Sequence, residues 1–131
     1  FLGIIAQVPF VDICNTMLDE NLPLTVTEIP EWGDLKHNEE AFEYIRSYSP
    51  YDNVKKQEYP HMLITGGVTD PRVTYWEMTK WAAKIRDCKK DSNLLLLKMN
   101  MDAGHSGASG RYDYLKEIAL DYIFCLKITS Q

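Results

Sequence analysis

The sequence has few cysteines, and none of them lie close together. Cys14, Cys88 and Cys125 are odd in number and far apart, and the chain contains no CxxC motif. This spacing argues against a disulfide framework and excludes a zinc site built from cysteine pairs. We therefore expect three reduced, mostly buried thiols in a cytoplasmic protein.

Four further absences narrow the possible partners and cofactors. No apolar run approaches the ~20 residues that cross a bilayer, and no secretory signal pattern is present, so no membrane partner is expected. The 14 basic and 19 acidic residues are interspersed and give a net charge of −5, whereas nucleic-acid binding needs a basic stripe. His37, His61 and His105 lack metal-ligand spacing, so neither a metal nor another cofactor is expected.

Short apolar runs alternate with segments of helical spacing. The apolar runs predict three strands, at residues 2–8, 62–65 and 94–97. Helices are predicted over residues 38–48 and around a stripe formed by Met78, Trp81, Ala82 and Ile85. Residues 15–36 contain two prolines and a glycine without a clear period and are predicted to be mostly loop.

The last helix has the clearest helical spacing in the sequence. Its predicted core-facing side consists of Leu115, Ile118, Ala119, Tyr122, Ile123 and Leu126.

The order of these elements predicts an α/β fold. Apolar strands that alternate with amphipathic helices are typical of a parallel sheet flanked by helices. The first strand is apolar on both faces and implies neighbouring strands outside these residues, and the first residue is Phe1, not Met. We therefore expect residues 1–131 to be the edge-side part of a larger sheet.

Two polar loops follow the second and third predicted strands. Functional residues of open α/β sheets gather at the carboxyl ends of strands, and these loops carry Asp70 and His105. Adjacent parallel strands would bring both side chains to the same rim. This is the pair that a catalytic triad requires, because the carboxylate orients the imidazole and stabilises the imidazolium. Asp before His also fits the Ser–Asp–His order of α/β-hydrolases.

The sequence contains no nucleophile elbow for this pair. An elbow would read G-x-S-x-G, and Ser106 and Ser109 have glycines at the wrong spacing and do not precede the histidine. The serine therefore lies upstream of Phe1 or does not exist. A competing interpretation of residues 104–111 is an anion-binding loop before the last helix, with Arg111 as the counter-charge.

Seven segments resemble one known family of enzymes. They lie at residues 7–12, 17–20, 23–25, 31–33, 47–53, 75–77 and 101–107, and the last reads Met-Asp-Ala-Gly-His-Ser-Gly. These segments are similar to the C-terminal end of the prolyl oligopeptidase family, in the branch that cleaves short peptides after Arg or Lys. The similarity covers essentially the whole chain.

The resemblance implies the C-terminal portion of an α/β-hydrolase fold in a serine peptidase without a cofactor. Residues 1–131 would be the C-terminal part of the catalytic domain, with the nucleophile elbow a few tens of residues upstream and a β-propeller elsewhere. Asp70 would be the triad acid and His105 the general base. Arg72, in the family's Asp-x-Arg-Val pattern, would hydrogen-bond a substrate carbonyl.

The resemblance also implies which residues recognise the substrate. A buried acid can pair with a guanidinium through two charge-assisted bonds, and this branch has two acids, at i and i+2, before Glu-Trp-Gly. Glu28 matches the first, Pro30 stands where the second would be, and Glu31 belongs to the Glu-Trp-Gly match. Glu28 is therefore the predicted specificity acid.

The sequence thus predicts a serine-type endopeptidase that hydrolyses short peptides after Arg or Lys. This chain would supply Asp70 and His105, and would be inactive without the remainder of its catalytic domain and a β-propeller. Two alternatives stay open: a non-catalytic α/β-hydrolase module that lacks the nucleophile, and an esterase or aminopeptidase relative that does not need Glu28.

Overall fold

The chain forms a parallel sheet with helices packed around it. The structure is a computed structural model that describes residues 1–107, 110 and 112–130. In chain order the described elements are β1 (Gly3–Gln7), α1 (Ile13–Leu18), α2 (Thr25–Trp32), α3 (Glu39–Tyr48), β2 (His61–Gly67), α4 (Tyr75–Cys88), β3 (Leu95–Asn100) and α5 (Asp113–Thr129). The three predicted strands and the three predicted helices are all confirmed.

Strand β2 lies between β1 and β3 and pairs with both in parallel. Its side chains alternate between the two faces of the sheet. Ile64 packs against Met78 of α4 on one face, whereas Leu63 packs against Phe124 and Ile128 of α5 on the other. The predicted α/β class, a parallel sheet flanked by helices, is therefore confirmed.

The prediction that residues 15–36 are mostly loop is wrong, because most of α1 and all of α2 lie there. Both helices are too short to show a helical period, and Pro30 lies inside α2. Helices of six and eight residues are not stable alone and depend on tertiary contacts. Here the buried Thr25 hydroxyl donates to the Thr16 carbonyl at 2.9 Å and joins the two helices.

The predicted core face of α5 is also wrong. Leu115, Tyr122, Ile123 and Leu126 are all more than half exposed. The sheet instead contacts a second apolar stripe at i, i+4 and i+8, formed by Leu120, Phe124 and Ile128. A helix with apolar residues on more than one side does not reveal from its spacing which side is buried.

The cysteines differ from one another in exposure. All three are free, but only Cys14 is buried, Cys88 is half-buried and Cys125 is exposed, so the expectation of mostly buried thiols was too strong. Burial raises the pKa of the Cys14 thiol to about 11, with the nearby Asp52 charge acting in the same direction.

Within residues 1–107, 110 and 112–130, no helix is both long and apolar enough to cross a membrane.

Candidate active site

Asp70 lies in the turn that follows β2 and leads into α4. Its Oδ1 accepts hydrogen bonds from the backbone N–H groups of Arg72 at 2.8 Å and Val73 at 3.1 Å. An aspartate before a proline commonly forms such a turn, because its short side chain reaches the backbone two residues on. The carboxylate is fully buried, and one oxygen is fixed by the main chain, so the other has a defined direction.

His105 lies in the loop between β3 and α5. The loop closes through an antiparallel bridge between Gly104 and Gly107, and Gly107 has φ +75°, a conformation that favours glycine. The loop lies directly against the end of β2, since a Cβ atom on Gly67 would collide with the Ala103 carbonyl. Gly67 therefore permits the close approach that carries His105 towards Asp70.

The two side chains form a hydrogen bond. His105 Nδ1 lies 2.9 Å from Asp70 Oδ2, and the imidazole is 36% exposed. An ionised carboxylate only accepts, so Nδ1 carries the proton and Nε2 is left with a lone pair. This arrangement can act as a general base at Nε2, with the charge that develops on the ring stabilised by the buried carboxylate.

A cavity of about 480 Å³ opens beside the imidazole, and we call it the Glu28 pocket. Glu28 of α2, Arg72 and His105 all line it. The Trp32 indole N–H donates to Glu28 Oε2 at 3.2 Å, which orients a half-buried carboxylate. Glu31 also lines the pocket, but its side chain is exposed. The structure thus brings all four predicted site residues to one place.

A second cavity, of about 370 Å³, lies on the α5 side of His105. Gln7 donates to Asp121 there at 2.7 Å, and burial raises the pKa of the Asp121 carboxyl. The Glu117 carboxylate lies against Gly107 and accepts a hydrogen bond from the Asn100 side-chain amide at 3.1 Å. Ser109 and Arg111, which the anion-loop interpretation needs, lie outside the described residues.

The sequence analysis missed Glu77, a fully buried carboxylate on α4. Its Oε2 accepts from the backbone N–H groups of Val11 at 3.2 Å and Asp12 at 3.1 Å, and its Oε1 accepts from the Thr16 hydroxyl at 2.7 Å. Burial raises the pKa of this carboxyl, although the three hydrogen bonds oppose the shift. A signal was available, because Glu77 lies four and eight residues before Trp81 and Ile85, in line with the apolar stripe.

A salt bridge lies beside this buried carboxylate. Lys80 pairs with the buried Asp12 at 2.6 Å, and that hydrogen bond raises the pKa of the Lys80 ammonium.

The other two histidines have separate roles in the fold. His61 Nδ1 accepts from the Leu94 backbone N–H at 2.9 Å, and His37 pairs with Asp34. No group of three or more metal-ligand side chains comes together in the part of the chain that the structure describes.

A parallel sheet with an aspartate and a histidine after two adjacent strands, in that order, is the arrangement of the α/β-hydrolases. The chain belongs, more narrowly, to the prolyl oligopeptidase family, whose sequence profile matches residues 1–131.

Individual relatives agree with this assignment. Over 126 residues the chain is 54% identical to Protease 2 of Moraxella lacunata, a match that covers 96% of this chain and 18% of that protein. It is 42% identical over 123 residues to Dipeptidyl aminopeptidase BI of Pseudoxanthomonas mexicana, covering 94% and 17%. The structure of oligopeptidase B from Leishmania major matches with a TM-score of 0.94 at 45% identity, covering 98% of this chain and 18% of that one.

These matches confirm the family that the sequence motifs indicated, and the branch that those motifs resemble is that of oligopeptidase B. The chain spans less than a fifth of the length of the relatives it matches.

Proposed function

We propose that residues 1–131 are the C-terminal part of a serine peptidase catalytic domain and supply its acid and base. The observation that carries the proposal is the 2.9 Å hydrogen bond between Asp70 Oδ2 and Nδ1 of His105, which lines the Glu28 pocket. A serine outside these residues completes the triad. The remainder of the catalytic domain and a β-propeller are the partners, and the cytoplasm, which keeps thiols reduced, is the location.

Each side chain has one chemical task in this mechanism. The serine hydroxyl attacks the peptide carbonyl while its proton moves to Nε2 of His105, and the buried Asp70 carboxylate stabilises the imidazolium. His105 then gives that proton to the departing amine, which leaves an acyl-enzyme. Water then attacks the acyl-enzyme and gives a proton to Nε2 of His105. His105 passes that proton to the serine oxygen as the peptide fragment leaves with a free carboxyl group. No metal or other cofactor takes part in these steps.

The Glu28 pocket supports a preference for short peptides with a basic residue at the cleavage site. The Glu28 carboxylate is half-buried and oriented by Trp32, so it offers a fixed negative charge to a guanidinium or ammonium group. The exposed Arg72 lies on the same pocket and is placed to hydrogen-bond a carbonyl of the peptide backbone.

Replacement of the acid tests the catalytic assignment in the full-length protein. In Asp70→Asn the amide donates to Nδ1, so the proton of His105 moves to Nε2 and the base is lost. We expect kcat to fall by roughly 10³- to 10⁴-fold. The control variant Asp87→Asn replaces an exposed aspartate of α4 and should leave kcat unchanged. Activity that survives both Asp70→Asn and His105→Ala would contradict the triad. A full-length protein without any hydrolytic activity would favour the non-catalytic module.

Replacement of the specificity acid tests the substrate preference. Glu28→Gln should reduce kcat/KM for Arg substrates by roughly 30-fold or more, because a charge-assisted pair in a desolvated pocket is worth ~2–5 kcal/mol. We expect a loss near the lower end, since Pro30 stands where the resemblance implies a second acid. Lys substrates should lose less, because only a guanidinium uses both carboxylate oxygens.

Substrates with a neutral P1 residue are the control for Glu28→Gln, and their kcat/KM should hardly change. Equal losses for charged and neutral substrates would mean that Glu28 supports α2 and does not contact the peptide. A loss seen only in Glu31→Gln would move the specificity acid to Glu31, which lines the same pocket.

The similarity to Dipeptidyl aminopeptidase BI favours a second candidate, a peptidase that removes residues from a free N-terminus. Paired peptides with a free and an acetylated N-terminus separate the two candidates. An endopeptidase cleaves both at similar rates, whereas an aminopeptidase requires the free amine.

A further inference from the structure

Two buried hydrogen bonds link α4, the helix that follows the Asp70 turn, to α2, the helix that carries Glu28. Glu77 stands near the start of α4, the helix that follows the Asp70 turn. Its Oε1 accepts from the Thr16 hydroxyl at 2.7 Å, and the Thr16 carbonyl accepts from the Thr25 hydroxyl at 2.9 Å. Thr25 is the first residue of α2, and Glu28 lies three residues further along the helix.

The three side chains that make these hydrogen bonds are well shielded from water. Glu77 is fully buried, Thr25 is 1% exposed and Thr16 is 9% exposed. Hydrogen bonds between such groups are strong and directional, because neither partner can exchange its bond for one to solvent. The same Glu77 carboxylate also holds the backbone of Val11 and Asp12, so it fixes the segment that leads into α1.

These hydrogen bonds lie between the two parts of the proposed site, Glu28 and the Asp70–His105 pair. Residues three apart in a helix lie on the same face, one turn from each other, so a shift of Thr25 carries Glu28 with it. At the other end, Glu77 and Asp70 are joined by a single tight turn and the first residues of α4.

We propose that Glu77, Thr16 and Thr25 are positioning residues that hold the Glu28 carboxylate at a fixed place relative to the Asp70–His105 pair. This inference rests on the proposed function, since it concerns the selectivity of that same site. Thr16 and Thr25 border the Glu28 pocket, but their hydroxyls donate within the protein, to Glu77 and to the Thr16 carbonyl. The three residues act through Glu28, and their removal therefore affects substrates that Glu28 recognises.

Thr25→Val in the full-length protein tests the proposal, because it keeps the shape of the side chain and removes the hydroxyl. We expect kcat/KM for a substrate with Arg at P1 to fall about 3- to 10-fold, the usual effect of one lost hydrogen bond. The same substrate with a neutral P1 residue should change less than about 2-fold. Thr25→Ser keeps a hydroxyl and should have the kcat/KM of the parent. The control variant Thr27→Val replaces an exposed threonine of the same helix and should have no effect.

A double-variant cycle identifies the route of the effect. If Thr25 acts through Glu28, adding Thr25→Val to Glu28→Gln should cause no further loss of kcat/KM for the Arg substrate. Additive losses, or equal losses for charged and neutral substrates in Thr25→Val alone, would overturn the proposal. Thr16→Val provides a second route to the same result should Thr25→Val fold poorly, since it breaks the neighbouring link to Glu77.

Failure of this inference is distinct from failure of the proposed function. A charge-selective loss in Glu28→Gln without one in Thr25→Val would reject only the positioning role. No charge-selective loss in Glu28→Gln would reject the assignment of the specificity acid itself, and the positioning role with it.

Discussion

At the scale of single residues, the protein contains a carboxyl group whose ionisation opposes folding. The pKa of Glu77 is raised above its ordinary value of 4.5 chiefly by burial. A carboxyl with a higher pKa in the folded state contributes stability that is fully present below the unfolded pKa. That contribution is lost as the pH rises through the folded value.

Glu77→Gln cannot ionise, so it should remove this pH dependence. We expect the variant to lower the Tm of the full-length protein more at pH 4.5 than at pH 8, because only the parent is further destabilised as the pH rises. Differential scanning calorimetry at both pH values measures this difference. Glu58→Gln, at an exposed loop position, should show the same small change at each pH, and a greater loss for Glu77→Gln at pH 8 would contradict the interpretation.

At the scale of the elements, the site depends on how closely the His105 loop approaches β2. Gly67→Ala places a methyl group against the Ala103 carbonyl, which is backbone and cannot rotate away. We expect the loop to shift and kcat to fall by about 10²-fold, the cost of misplacing a catalytic group by about 1 Å.

The neighbouring glycine offers a matched control for Gly67→Ala. A Cβ on Gly66 meets the flexible end of the Met78 side chain, which can adopt another rotamer. Gly66→Ala should therefore cost far less activity than Gly67→Ala. Equal effects of the two variants would mean that the approach of the loop to β2 does not set the geometry of the Asp70–His105 pair.

The elements that were predictable from sequence are those with a long or uniform hydrophobic pattern. The strands and α4 follow from their apolar runs and spacing, and their alternation predicted that Asp70 and His105 share a rim. Helix α2 was missed, because eight residues around Pro30 form a helix only when Thr25 is tied to α1. The buried face of α5 was not predictable either, since the sheet selects one of two apolar stripes.

At the scale of the whole molecule, apolar surface remains uncovered in the described residues. Within the part of the chain that the structure describes, strand β1 pairs on one side only, with β2, and Leu2 before the strand and Ile4 within it are exposed. Helix α5 presents Tyr122 and Leu126 to solvent. Unpaired strand edges and apolar patches of this kind favour association.

A purified chain of residues 1–131 should therefore associate and show no peptidase activity. Light scattering should give masses well above the 15.1 kDa of one chain. Arg- and Lys-ester or amide substrates should not be hydrolysed, because His105 has no serine elbow to activate within this sequence. A cooperatively unfolding monomer would contradict the first expectation, and robust hydrolysis would contradict the second.

The turn that holds the Asp70 carboxylate does not depend on the side chains of residues 72 and 73. The two N–H groups that fix its carboxylate belong to the main chain of residues 72 and 73, so every side chain except proline supplies them equally well. Under the proposed function, a substitution of Arg72 would remove its hydrogen bond to a peptide carbonyl without disturbing Asp70. The strength of peptide binding would thus be adjustable at position 72 by single steps, in evolution or in the laboratory, while the Asp70–His105 pair is inherited intact.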